Sequence, residues 1–115
     1  MGGPALALTV TTKPADCQTA APYLLINLYD LPITTGKSYP IGIQGEMKIG
    51  QASRCPNSNA CQAADSGEVV FDKFQEDIGA SGLYRLHFPG LNKNDGSTVD
   101  GTFRLKWCNN HELCG

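Results

Sequence analysis

The sequence lacks long hydrophobic runs and any large excess of one charge. Its longest apolar stretch, Tyr23 to Leu28, is interrupted by Asn27 and is only as long as a strand, so we expect no transmembrane segment. The formal net charge is −2, which gives the chain no overall attraction to nucleic acid or to an anionic membrane surface. Nucleic-acid-binding proteins and integral membrane proteins are therefore the first classes that the composition disfavours.

Catalytic motifs are missing as well. Neither a Gly-x-Ser-x-Gly elbow nor a phosphate-binding glycine loop occurs. Of the two histidines, His87 lies in a strand-like segment and His111 stands beside Glu112 close to the C-terminus, where a preorganised acid–base pair is not expected. We therefore expect no enzyme, no catalytic residue and no cofactor. The enzymatic alternative is a small carboxylate-based hydrolase. Its candidate acids are Asp30, Glu46, Asp72 and Glu76.

The chain also lacks apolar residues at helical spacing, and short apolar runs alternate instead with turn residues, including 13 glycines and 7 prolines. We predict an all-β fold, an antiparallel β-sandwich or flattened barrel of about six to eight strands with a C-terminal hairpin. Its length of 115 residues suits a single domain over residues 1–115. Residues 51–67 are expected to form a polar loop, with a helical turn possible at 60–64, and residues 109–115 a tail. The predicted strands are 5–12, 23–29, 41–49, 69–75, 82–88 and 98–107.

Two near-copies of one pattern lie in the C-terminal third, Ser81–Phe88 and Asp100–Trp107. Each alternates aromatic residues and leucine with arginine, histidine or lysine, which is typical of a half-buried strand. Between them, Asp95-Gly96 is a strong two-residue hairpin signal. A turn centred there pairs three apolar or aromatic couples on the inner face. These couples are Phe88 with Phe103, Leu86 with Leu105, and Tyr84 with Trp107.

The same alignment gathers basic side chains on the outer face of the hairpin. These residues are Arg85, His87, Arg104 and Lys106. Like charges opposite one another are unfavourable, so neighbouring acids or solvent must offset them. Glu68, Asp72 and Glu76 are spaced by four and lie on one face of the preceding strand. The sequence thus leaves two interpretations, a patch neutralised within the sheet or a surface that binds anions or carboxylates.

Five cysteines in so short a chain favour an oxidising compartment. Cys55 and Cys61 are separated by five residues, as are Cys108 and Cys114, so either pair could close a local loop. An alternative joins Cys17 to Cys108 or Cys114. We favour Cys55–Cys61 together with a bridge from Cys17 to one of the C-terminal pair. Because five is odd, one thiol is free, pairs between chains or has lost its partner.

Metal sites are weakly indicated. Cys108, His111, Glu112 and Cys114 do not match a common zinc spacing, and one ligand would have to come from elsewhere. The loop that carries Gly96 lacks the acidic ligands of a calcium-binding loop at the required positions. We therefore expect no metal, with weak calcium binding as the alternative. The oxygen ligands for that calcium would be Asn92, Asn94, Asp95 and Asp100.

Among the aromatic residues, Tyr84, Phe103 and Trp107 fit the predicted core. Tyr29 and Tyr39 lie instead at a strand end and beside a proline, where an exposed ring could contact a sugar or a peptide. Together with Arg85, His87, Arg104 and Lys106, these two tyrosines complete the set of predicted binding residues.

The C-terminal third resembles small exported bacterial proteins and lipoproteins. The resemblance rests on four segments, Gly67–Phe71, Ser81–Leu86, Asp95–Phe103 and Trp107-Cys108. In that group, strands of this pattern close a β-sandwich, and the resemblance implies export and a bridged cysteine after the last strand. It implies no particular activity.

Export and binding are the resulting expectations. We expect a secreted or periplasmic protein whose natural targeting segment, or lipid anchor, is not part of this chain, since residues 1–4 are not a signal peptide and suggest an artificial start. The predicted function is a non-catalytic binding or accessory domain that recognises a protein or an envelope polymer through loops or a basic sheet face. An inhibitor or immunity-type protein is the closest alternative.

Overall fold

The fold consists of short β-strands in a computed structural model, which describes residues 6–11, 23–29, 33–42, 50–57, 60–75, 78–90, 96–109 and 112–114. The strands are β1 (Leu6–Thr11), β2 (Tyr23–Leu28), β3 (Ser38–Gly42), β4 (Gln51–Asn57), β5 (Ala60–Ala63), β6 (Ser66–Gln75), β7 (Gly79–Phe88), β8 (Ser97–Asn109) and β9 (Glu112–Cys114). No helix occurs in these residues. The all-β fold expected from the sequence is confirmed.

The strands follow one another in the order β3-β6-β7-β8-β9-β1-β2-β4-β5. Neighbouring strands are antiparallel except β1 and β9, which run parallel. β3, at one end of this order, also meets the residue that precedes β4, because the Gly50 N–H donates to the Pro40 carbonyl and the Gly42 N–H donates to the Gly50 carbonyl, both at 2.9 Å. The strands therefore wrap round a common interior in a sandwich-like arrangement.

A single apolar core fills this interior, and strands from both ends of the chain contribute to it. β1 and β2 supply alternate leucines and Ile26, as expected for strands with one buried face. β6, β7 and β8 supply mainly phenylalanine and leucine. The largest fully buried side chains are Phe71, Phe88, Leu6, Leu8, Ile26, Leu28, Leu86 and Leu113. One shared core is what a single domain of this length requires.

Three strands lie where no strand was expected. β4 and β5 form a hairpin within the predicted polar loop 51–67, and residues 60–63 are strand rather than helical turn. β4 also pairs with β2, so its backbone hydrogen bonds and the burial of Ala52 and Cys55 outweigh its polar composition. In the predicted tail, β9 inserts between β8 and β1 and buries Leu113.

The β7–β8 hairpin is present, but the predicted register is wrong. Phe88 lies opposite Ser97 rather than Phe103, so each β7 residue meets a partner six positions earlier in β8 than expected. Residues 89–96 connect the two strands. The proposed tight turn at Asp95-Gly96 would have required strand pairing through Pro89, which has no N–H to donate. Asp95 itself lies outside the described residues.

Charge favours the register that is adopted. The expected register placed Arg85 opposite Lys106, whereas the observed one places Arg85 opposite Asp100 and His87 opposite Thr98. Opposite charges across two strands are favourable and like charges are not. Because the shift is an even number of residues, every side chain keeps its predicted face. Phe103 is accordingly buried, and Tyr84 and Trp107 pack against the core.

Gly82 organises the packing of the three strands around it. It lies directly between Phe71 of β6 and Phe103 of β8, and the two phenylalanine rings meet edge to face with their centroids 5.4 Å apart. A Cβ at Gly82 would lie 2.9 Å from Cζ of Phe103 and would also meet the Val70 carbonyl oxygen. The absence of a side chain at Gly82 therefore allows the two rings to touch.

Substitution Gly82→Ala is expected to lower the free energy of unfolding by about 1–3 kcal/mol, the usual cost of overpacking a core. Urea denaturation measures it. The matched control is Thr102→Ala on the exposed face of β8, which should change stability by less than about 0.5 kcal/mol. Equal stability of the Gly82→Ala variant and the unchanged protein would contradict this account of the core.

A disulfide joins Cys55 of β4 to Cys61 of β5, as predicted. Cys55 is buried and Cys61 is exposed. Beside the bridge, the Arg54 guanidinium lies 4.3 Å from the centre of the buried Phe88 ring and its Nε donates to Oε1 of Gln62. The hairpin is thereby joined to the end of β7. The predicted pairings of Cys17, Cys108 and Cys114 involve side chains outside the described residues.

Replacing both bridge cysteines by alanine is expected to lower the free energy of unfolding by about 2 kcal/mol, the loop-entropy value for so short a closed loop. The comparison is a denaturation curve of the Cys55→Ala/Cys61→Ala variant against the oxidised protein. Reductant should destabilise the oxidised protein by breaking the Cys55–Cys61 bridge. It should have no such effect on the variant, which lacks this bridge. A variant as stable as the oxidised protein would show that the bridge contributes nothing.

Candidate binding face

The candidate site is the solvent-facing side of β6, β7 and β8, called here the outer face. Its residues are those that alternate with the core residues along each strand. Across the strands they form three neighbouring rows, which the β6–β7 and β7–β8 registers define. The rows are Glu68-Arg85-Asp100, Val70-Leu83-Thr102 and Asp72-Lys73-Ser81-Arg104.

The first row surrounds one arginine with two acids. Arg85 lies opposite Glu68 on one side and opposite Asp100 on the other. Its Nη2 is 3.9 Å from Oδ2 of Asp100, and both side chains are about two-thirds exposed at 66% and 68%. Glu68 also accepts a hydrogen bond of 2.6 Å from the Ser38 hydroxyl of β3. This acidic row therefore carries a net charge of −1, and its ion pair is weak because it is open to water.

The second row is apolar at its centre. Leu83 is 44% exposed in the middle of the sheet, and it lies opposite the half-buried Val70. Thr102 on β8 completes the row. An exposed leucine beside a valine is a small apolar surface framed by polar residues, a composition found at the centre of protein interfaces.

The third row has the opposite charge to the first. The Ser81 hydroxyl donates to Oδ1 of Asp72. Lys73 stands next to Asp72, so the positive charge of Lys73 and the negative charge of Asp72 offset each other within the row. Arg104 lies opposite Ser81 on β8 and is exposed. The row therefore has a net charge of +1, carried by Arg104.

A shallow depression of about 480 Å³ lies over the first two rows. It is wide and open to solvent. The residues that line it are Glu68, Leu83, Tyr84, Arg85, Asp100, Gly101 and Thr102. This shape suits the contact of a protruding side chain better than the enclosure of a small molecule, for which deep, mostly apolar clefts are usual.

The four predicted basic residues do not form one patch. Arg85 is flanked by acids, His87 is hydrogen-bonded to Asp65, and Arg104 and Lys106 lie at the other end of the face. Of the acids expected to offset them, Glu68 lies opposite Arg85, and Asp72 accepts a hydrogen bond from the Ser81 hydroxyl. Glu76 lies outside the described residues. Within the three rows the net charges of −1 and +1 cancel, and Lys106 lies beyond them.

The Asp65–His87 pair was not foreseen from the sequence. Nδ1 of His87 lies 2.7 Å from Oδ1 of Asp65, and the Asp65 N–H donates to the His87 carbonyl at 2.9 Å. The Ser66 hydroxyl also donates to Asp65 at 3.2 Å. The hydrogen bond from His87 holds the pKa of Asp65 below its ordinary value of 3.8, because it favours the charged carboxylate. The pair fixes the bend between β5 and β6.

Since the pKa of Asp65 is depressed in the folded state, the pair stabilises the fold above the unfolded-state pKa and loses this effect as the pH falls through the folded value. A double-mutant cycle of Asp65→Asn and His87→Gln should therefore show favourable coupling at about pH 7 and weaker coupling at about pH 2. Urea denaturation at the two pH values measures the coupling. Equal coupling at both would contradict the assignment.

The two candidate tyrosines differ. Tyr29 is 38% exposed at the end of β2, and its hydroxyl donates to Oε1 of Gln51 at 3.4 Å. Tyr39 is only 2% exposed, so the prediction of an exposed ring there is wrong. Its hydroxyl accepts the Thr34 N–H at 2.6 Å, and its ring packs edge-on against Phe71. The alternation of β3 places Tyr39 inward, since the neighbouring Pro40 is exposed.

The described part of the chain gives no support for a metal site or for the carboxylate site of the hydrolase alternative. Within it, no three histidine, cysteine or acidic side chains converge as they would around a metal ion. The zinc candidate His111 and the calcium candidates Asn92, Asn94 and Asp95 lie outside that part, as do Asp30 and Glu46 of the hydrolase alternative. The remaining calcium candidate, Asp100, is the exposed partner of Arg85.

The chain was compared with protein-family models, with curated proteins and with solved structures, and none of the three gave a match. The resemblance to small exported bacterial β-proteins therefore stays a prediction. In the described ranges, the structure contains no helix with the length and apolar character needed to cross a bilayer.

Proposed function

We propose that this protein is a non-catalytic binding domain that recognises a protein partner through its outer face. The observation that carries the proposal is the exposed Leu83 at the centre of that face, framed by the charged rows on either side. Removing such a leucine from water stabilises a complex, and the surrounding charges select the partner.

A protein surface fits this face better than a polysaccharide does. Sugar recognition commonly uses an exposed aromatic ring. The outer face offers an aliphatic side chain and paired charges instead, and none of the residues in its three rows is aromatic. An enzyme inhibitor is the special case in which the bound protein is an enzyme.

The β3 edge is a poor site for strand addition by a partner, which favours docking on the outer face. An added strand needs free N–H and C=O groups along an exposed edge. In β3, Pro40 has no N–H, and its carbonyl already accepts the Gly50 N–H. That edge therefore offers little to an incoming strand.

Export to an oxidising compartment is part of the proposal. The Cys55–Cys61 bridge supports it, because structural disulfides persist in secreted and periplasmic proteins and are rare in the cytosol. A binding domain placed there would meet envelope or extracellular proteins.

The test is capture of polypeptides from an envelope extract and culture medium of the source organism on immobilised protein. The substitution Leu83→Asp should reduce capture by at least about tenfold, since it buries an unpaired charge at the centre of the face. The matched control is Ile78→Asp, which alters an equally apolar residue that is 66% exposed in the β6–β7 turn. This control should capture as the unchanged protein does.

Two outcomes would contradict the proposal. One is that neither the unchanged protein nor any variant captures a polypeptide. The other is equal capture by the Leu83→Asp and unchanged proteins. Loss of capture with Tyr29→Ser alone would move the site to the exposed end of β2 and away from the outer face.

A further inference from the structure

The charge order of the outer face is self-complementary, and we infer that the face docks on the outer face of a second copy of this chain. This inference rests on the proposed function and names the partner. The acidic row lies on one side of the apolar row, and the row of Arg104 lies on the other. The sequence of charge across the face is thus negative, apolar, positive.

Two identical faces can meet round a two-fold axis that lies in the plane of contact. An axis running along the apolar row places the acidic row of each copy over the Arg104 row of the other. Leu83 then meets Leu83 of the second copy, and Asp100 meets Arg104 of the second copy. An axis running along the strands instead places acidic row on acidic row, which is repulsive. The charges therefore favour the first arrangement alone.

The depression provides room for this contact. Asp100 lines it together with Glu68, and the guanidinium nearest to Asp100 is 3.9 Å away, beyond hydrogen-bond distance. The Asp100 carboxylate therefore has lone pairs available to a second arginine. Arg104 of the second copy, arriving over Asp100, would form the closer charge-assisted pair. Thr102 lies between Asp100 and Arg104 on β8, so the two charges of one copy are four residues apart and match the inverted pair of the other.

The size of the face predicts a weak complex. With strands about 4.8 Å apart and alternate residues about 6.8 Å apart, the three rows on three strands cover about 300 Å² per copy. About 600 Å² in total is below the range of stable dimers and suits only a weak, transient complex. We therefore expect a rapidly exchanging monomer and dimer.

The experiment is sedimentation equilibrium up to about 1 mM protein, a concentration that detects weak association. The unchanged protein should form dimers. Asp100→Arg and Arg104→Glu should each weaken self-association by at least about tenfold, since each places like charges in contact twice across the axis. An equimolar mixture of the two variants should associate again, because Asp100→Arg presents two positive rows and Arg104→Glu two negative ones.

The charge-matched control is Lys37→Glu, which changes the net charge as Arg104→Glu does. Lys37 lies over the ring of the buried Tyr39, 5.2 Å from its centre, and is not part of the outer face. This control should dimerise as the unchanged protein does. Circular dichroism of every variant checks its fold. Renewed association in the mixture checks folding independently, because every chain in the mixture is a variant.

The inference is overturned if the unchanged protein stays monomeric at about 1 mM, if either reversal leaves association unaltered, or if the mixture fails to associate. Its failure is distinguishable from failure of the proposed function. A monomer whose capture of another polypeptide still depends on Leu83 would retain the binding face and assign it to a different partner.

Discussion

The edge-to-face contact of Phe71 and Phe103 across Gly82 holds three strands together. It spans β6, β7 and β8 in one row, so none of these strands can slide without separating the rings. Phe74 and Trp107 extend the same aromatic cluster towards the β6–β7 turn. A close-packed contact of this kind tolerates little displacement, because interiors are packed as densely as organic crystals.

The surface inherits its order from this interior register. Because side chains alternate in a strand, a fixed inner row fixes the row on the other side of the sheet. Arg85 consequently lies between two acids, Leu83 lies in the centre, and Arg104 lies beyond it. No single strand carries this arrangement, which exists only when the three strands are in place. The proposed binding face is in this sense a consequence of core packing.

The remaining strands of the sheet close the apolar core. The segment from β5 to β6 passes from pairing with β4 to pairing with β3 and β7, and the Asp65–His87 pair lies at that bend. The disulfide holds β5 to β4, and Arg54 covers the buried Phe88 ring at the end of β7. Through β9, the C-terminal residues separate β8 from β1 and close the opposite side of the core.

Local pattern was sufficient for the fold class, for the inward and outward faces of β7 and β8, and for the Cys55–Cys61 bridge. These depend on period-two alternation and on short spacing, which the sequence displays directly. It was insufficient for β4 and β9, whose strand structure depends on partners distant in the chain. The exposure assigned to Tyr39 failed because its neighbour Pro40, and not the tyrosine, takes the outward position.

In β7 and β8 the sequence by itself determined which side chains face the core and which face water, since alternation depends only on neighbouring residues. The tertiary structure alone decided which outward residues become neighbours. A shift of six residues between β7 and β8 preserves every inward side chain but replaces Lys106 by Asp100 opposite Arg85. Alternation cannot distinguish these registers, so cross-strand packing and charge made the choice.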